Sequence, residues 1–64
     1  MRLRARITLA LTLEGPGVSV TFTRDELEAN PKLLRDALRD LEGLGYRVEG
    51  ALRSIQRSPF AKYL

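Results

Sequence analysis

Arg2, Arg4 and Arg6 stand at every second position of a run, Met1 to Leu13, that otherwise holds only apolar and threonine side chains. If that run is extended, the three guanidinium groups leave one side of one strand at intervals of about 6.6 Å, twice the rise per residue. That interval approaches the separation of successive phosphates along a nucleic-acid strand. The row therefore suits contact with a polyanionic backbone, as when a β-ribbon lies against DNA. Arg47 and Arg53 enlarge the same face if Tyr46 and Val48 point to the core. The plainer alternative is a set of solvent-facing arginines partnered by Glu49 and threonine hydroxyls. The outer face carries Arg, Thr, Ser and Ala and no ring on which bases could stack, which favours duplex or backbone contact over single-strand recognition.

Catalytic chemistry has little to work with. The chain has no His and no Cys, so the commonest general base and the strongest side-chain nucleophile are missing. Ser19, Ser54 and Ser58 have no activating partner in the pattern. Asp36 and Asp40 lie one helical turn apart, the spacing of a shared cation site, but they alternate with Lys32, Arg35 and Arg39 as on a solvated, salt-bridged helix face. Gly15-Pro16-Gly17 lacks the Lys-Ser/Thr ending of a phosphate loop, and Gly43-Leu44-Gly45 follows a helix where such a loop would open one. The expectation is a protein that is not an enzyme, with no cofactor and no metal.

A second group that could engage a partner is the tail Arg57 to Leu64. There Phe60, Tyr63 and Leu64 interleave with basic residues, and three apolar groups at a terminus need covering. They either pack back on their own domain or clasp another protein.

The 64 residues hold 11 basic and 8 acidic side chains, a formal charge of +3, and the isoelectric point is about 10.0. Residues 1–23 set three arginines against Glu14, residues 24–45 set four basic groups against six acidic ones, and residues 46–64 set four against Glu49. An acidic middle thus lies between basic flanks, a mild form of the charge footprint of nucleic-acid binders. The preference for Arg over Lys and the scarcity of Asn, Gln, Met and Cys match a thermophile or a GC-rich genome. Arg2 to Arg6 followed by Ile7 to Leu13 imitates a signal peptide, but Thr8 and Thr12 interrupt the apolar run and no small-residue cleavage site follows. No stretch approaches the roughly 18 apolar residues of a membrane span. A cytoplasmic protein without membrane contact is expected.

The elements that must position these residues follow from periodicity. Leu3, Ala5, Ile7, Leu9, Leu11 and Leu13 alternate with polar or small residues, reading as one long half-buried strand. Glu14 to Gly17 is turn chemistry, and Val18, Val20 and Phe22 face inward on a second strand. Thr23 with Glu26 is a capping box for a helical turn beginning at Arg24. Asn30-Pro31 reads as N-cap and first residue of a main helix from Pro31 to Glu42, burying Leu34, Ala37, Leu38 and Leu41 and stopped by Gly43 or Gly45. Residues 46 to about 53 alternate as a third strand. Leu44, Val48, Leu52 and Ile55 are also spaced as on a helix face, but Gly50 and the β-prone Tyr46 and Val48 favour the strand.

The expected fold is a single α+β domain over residues 1–64. It is a ββαβ arrangement with a three-stranded, mainly antiparallel sheet in the order 2-1-3, one main helix on one face, and an extended or helical tail from residue 54. A domain this short buries only about 60% of its unfolded surface, and with no cysteines for disulfides it points to a homo-oligomer, a dimer in the first instance. The function these features favour is a small binding or regulatory protein contacting nucleic-acid backbone through Arg2, Arg4, Arg6, Arg47 and Arg53. The alternative is a protein-interaction module, such as an inhibitor, an antitoxin-like partner or an assembly subunit, using a sheet edge or Phe60, Tyr63 and Leu64.

Overall fold

The run from Arg2 to Leu13 folds back on itself. In the computed structural model, which describes all 64 residues, it forms two strands, β1 (Arg4–Ile7) and β2 (Leu11–Gly15), joined by the three-residue loop Thr8-Leu9-Ala10. The Thr8 amide donates to the Ala10 carbonyl at 2.9 Å, and the Ala10 amide donates to the Thr8 hydroxyl at 3.3 Å. A second turn at Pro16-Gly17, with Gly17 at φ 75°, leads into β3 (Val18–Phe22). The sheet is an antiparallel meander in the order β1-β2-β3, with Ile7 opposite Leu11 and Leu11 opposite Phe22. The expected order 2-1-3 and the single long strand are thus corrected. The physical reason is pairing: with residues 49–56 helical, a long central strand would keep only the five-residue β3 as a full partner, whereas folding it in half bonds the two halves to each other and restores the third strand that a stable sheet needs.

Three helices and a final 3₁₀ turn follow. Helix α1 (Arg24–Ala29) starts at the expected capping box: the Thr23 hydroxyl accepts from the Glu26 amide at 3.2 Å, and the Glu26 carboxylate accepts from the Thr23 amide at 2.9 Å. Helix α2 (Leu33–Gly43) begins two residues later than expected, because Asn30 to Lys32 form a turn in which the Asn30 side chain accepts from the Lys32 amide at 3.3 Å. Its buried Leu34, Leu38 and Leu41 sit at i, i+4 and i+7, and it stops where the Gly45 amide bonds the Glu42 carbonyl.

Residues 49–56 form helix α3 (Glu49–Gln56), correcting the expected strand. Apolar side chains at 48, 51, 52 and 55 fit no period of two, and the helix buries Val48, Ala51 and Ile55 together. Of the expected strand, only Arg47 survives, as a single parallel bridge to Arg2. There are accordingly two main helices, α2 and α3, where one was expected. No helix is long and apolar enough to cross a membrane.

One cluster of thirteen buried residues forms the core, drawing on the inner sheet face (Leu3, Leu11, Leu13, Phe22), all three helices and the tail. The tail packs back on its own domain. Phe60 is 1% exposed and Tyr63 6%. The Ser58 hydroxyl donates to the last turn of α3 at Ile55 (2.7 Å) and accepts from the Phe60 amide (3.0 Å). Tyr63 hydroxyl and Lys62 ammonium both donate to one oxygen of Glu28 on α1, while the Arg24 guanidinium lies 5.6 Å above the Phe60 ring.

Two stability measurements check this packing. Phe60→Ala should cost about 3–5 kcal/mol, a large part of the roughly 3–10 kcal/mol available to a chain of this size. Urea unfolding should show the midpoint of the variant moved to much lower urea. The Glu28 clasp sets a pH dependence. The hydrogen bond from Tyr63, then that from Lys62, holds Glu28 below the usual carboxylate range, and the bond to Glu28 pushes both Lys62 and Tyr63 up. The Glu28 contribution is complete above its unfolded pKa and is lost as pH falls through the depressed folded value. The Lys62 and Tyr63 contributions are complete below their ordinary values and lost as pH rises through the raised ones. Glu28→Gln should therefore lower the melting temperature around neutral pH, and the gap from the parent chain should close at both extremes, as followed by circular dichroism.

Candidate functional site

The meander divides the sheet into two chemically distinct faces. The inner face meets the helices. The outer face presents Arg4 beside Glu14 and Ser19, and Arg6 beside Thr12 and Thr21, in two cross-strand rows. The Thr12 and Thr21 hydroxyls hydrogen-bond at 3.0 Å, and Thr12 is buried beneath its neighbours although it lies on this open face.

At the β1 edge the chain makes its one contact of strand type with the second half of the molecule. The Leu3 amide donates to the Arg47 carbonyl at 2.9 Å, and the Arg47 amide donates to the Met1 carbonyl at 2.7 Å. Val48 then turns into the core and α3 packs along β1. Three adjoining clefts result, and Arg2 lines them all. The first, about 520 Å³, runs between Arg2, Arg4, Glu14, Gly15 and Pro16. The second, about 190 Å³, gathers Arg2, Arg47 and Arg53 around Leu3, Glu49 and Gly50. The third, about 280 Å³, lies between β1 and α3, from Arg2 and Arg4 to Gly50 and Ser54. No side chain caps the start of α3, so its partial positive charge adds to the arginines while Glu49 opposes it.

Four of the five sequence-nominated arginines, Arg2, Arg4, Arg47 and Arg53, are therefore brought together, by a route the alternation did not anticipate. Arg47 arrives through the single bridge and Arg53 on a helix instead of a strand. None of the four takes part in the chain's three ion pairs, and Arg39 is the only arginine whose side chain hydrogen-bonds within the chain. Arg6 stands apart: it lines none of the clefts, and its guanidinium lies 4.0 Å from Glu14.

Glu14 was missed as a member of this site. Its signal lay in the hairpin hidden inside residues 2–13, which sets it directly across from Arg4. The clefts hold too few apolar side chains to enclose a small organic molecule. A ligand that brings its own negative charge suits them better.

The other nominated residues lie elsewhere. Asp36 pairs with Arg39 at 3.0 Å and Asp40 is exposed on the same helix. Phe60 and Tyr63 are core residues and Leu64 is half-buried, so the tail offers little apolar surface to a partner. Every aromatic ring is engaged. Phe22, Phe60 and Tyr63 are buried, and half-buried Tyr46 lies against Gly15 with its hydroxyl donating to the Pro16 carbonyl. No protein-family model matches the sequence, and no curated protein or solved structure matches it.

Gly15 permits this arrangement. A β-carbon there would lie 3.0 Å from the Arg2 carbonyl oxygen and 3.2 Å from the Tyr46 ring. Gly15→Ala should thus displace the Arg2 backbone or the ring, costing about 1–3 kcal/mol. Hydrogen exchange should show the Leu3 and Arg47 amides losing protection ahead of the β2–β3 ladder.

Proposed function

We propose that this chain is a small, non-enzymatic binding protein that grips the backbone of duplex nucleic acid, working in the cytoplasm as a regulatory or accessory factor. The observation that carries this reading is the convergence of Arg2, Arg4, Arg47 and Arg53 on adjoining clefts with no carboxylate partner of their own. Unpaired guanidinium groups at a shared surface repel one another. A polyanion relieves that repulsion while releasing its condensed counterions, which makes the association favourable at low salt. Guanidinium groups also bind phosphate oxygens bidentately, which a scattered set of lysines would not do.

The engagement of all four aromatic rings supports backbone contact over base stacking. Contacts of this kind position a protein on a duplex without reading its sequence, so the expected preference is for duplex over single strand with little discrimination among sequences.

Fluorescence anisotropy of labelled duplex and single-stranded DNA, titrated at several salt concentrations, tests this. Micromolar or tighter duplex binding at low salt is expected, with log K falling against log salt at a slope of about −3 to −4 for four phosphates. Arg2→Gln, Arg47→Gln and Arg53→Gln should each weaken binding across all sequences and reduce the slope by about one. Arg35→Gln, on α2 away from the clefts, should leave both unchanged. Absence of binding at low salt, or equal losses from Arg35→Gln, would overturn the assignment.

A further inference from the structure

The two edges of the sheet are built differently. At the β1 edge, Arg4 and Arg6 project from the strand, Arg47 pairs with the segment before it, and α3 packs along it. At the other edge, β3 reads Val-Ser-Val-Thr-Phe, with no charge, no proline and no bulge against β2. Those are the devices by which sheet proteins keep an edge from pairing, and β3 has none of them. Beyond its ladder with β2, no backbone hydrogen bond reaches residues 18–22.

The phase of the free edge follows from the hairpin. Gly15 and Val18 close the two-residue turn, so Val18, Val20 and Phe22 direct their amides and carbonyls to β2, whereas Ser19 and Thr21 direct theirs outward. This edge is self-complementary. A second β3 laid antiparallel about Val20 sets Ser19 opposite Thr21 of the other copy and Thr21 opposite its Ser19. Both are hydrogen-bonded pairs, and together they make four backbone bonds. Val20 then meets the other Val20 in the close, non-hydrogen-bonded pair between them. Val20 is the one inner-face residue of β3 that is left exposed, at 36%, and this pairing covers it.

Charge permits the same arrangement. Each chain carries +3, but the two β1 edges of the joined six-stranded sheet lie five strand spacings apart, about 24 Å. That exceeds the screening length of about 8 Å at physiological salt. We infer that β3 is the homodimer interface of this protein, pairing with a second copy antiparallel about Val20.

The inference is independent of nucleic-acid binding and is tested without nucleic acid. Sedimentation of the full chain should show a monomer–dimer equilibrium, weak because a five-residue edge buries little area. Val20→Lys, which places two like charges side by side, should weaken dimerisation at least about tenfold with the far-UV circular dichroism and melting curve of the monomer retained. The chain contains no cysteine, so Val20→Cys tests the register directly. Under a glutathione redox buffer it should give a covalent dimer much faster than Ser19→Cys, whose counterpart lies opposite Thr21. A monomer at all accessible concentrations would overturn the inference. So would a dimer indifferent to Val20→Lys, or equal cross-linking through positions 19 and 20.

Discussion

The two hydrogen bonds between Arg47 and the segment Met1 to Leu3 are the smallest piece of sheet in the molecule, and most of the architecture depends on them. They bring residue 47 to the β1 edge in a parallel sense, so the chain must leave that edge at once. Val48 enters the core and α3 starts at Glu49. The helix then runs along β1 with Ala51 and Ile55 buried, which carries Arg53 into the cleft that Arg2 and Arg47 already line. Helix, core and basic cleft share one anchor point. Tyr46 locks it from the inner side, its ring lying on Gly15 and its hydroxyl on the Pro16 carbonyl.

A sheet of fourteen residues in three strands cannot hold three helices by itself, and the tail supplies what is missing. Phe60 and Tyr63 bring two aromatic side chains into a core otherwise made of aliphatic residues and Phe22, and in a domain this small each large side chain is a sizeable fraction of the total burial. The tail is held at both ends: Ser58 ties it to α3, and Glu28 ties Tyr63 and Lys62 to α1. The Lys62–Glu28 pair is well over half exposed on both sides and contributes little alone. The half-buried Tyr63 hydroxyl bond is the stronger part of the clasp.

Much of this was legible from local signals. The capping box at Thr23 and Glu26, the turn at Pro16-Gly17, the strand Val18 to Phe22, the buried face of α2 and a stop at Gly43 or Gly45, of which Gly45 takes the positive φ, all depend on residues within a few positions of one another. The break at Thr8 to Ala10 was not legible, for a specific reason. A three-residue loop pairs Ile7 with Leu11, odd with odd, so alternation continues in phase through the turn and imitates one long strand. Leu9, at the loop tip and 93% exposed, is apolar where a turn residue would announce itself. At residues 46–56 the failure was one of weighting. The β propensity of Tyr46 and Val48 and the presence of Gly50 favour a strand, and the helical spacing of Leu44, Val48, Leu52 and Ile55 is itself imperfect, since Leu44 is exposed and Leu52 half-buried. The burial of Ala51 and Ile55 on one face decides for the helix. Four of the five arginines converge because Arg2 and Arg4 precede the hidden turn, Arg47 makes the anchoring bonds to Met1 and Leu3, and Arg53 lies on the helix that starts beside them.

The same hidden turn explains why the sheet has two unlike edges. Had residues 2–13 remained one strand, it would have been central in the order 2-1-3 and its arginines would have crossed the middle of an open face. Folding it in half moves Arg4 and Arg6 to an outer strand, where like charges oppose pairing with another sheet. There Arg2 and Arg4 can meet Arg47 and Arg53 arriving from the far end of the chain. The neutral strand β3 is thereby left as the other edge, with its unspent donors and acceptors at Ser19 and Thr21. Separating charge to one edge and hydrogen-bonding capacity to the other lets a sheet of three strands present two different surfaces, one repelling its own kind and one complementary to it.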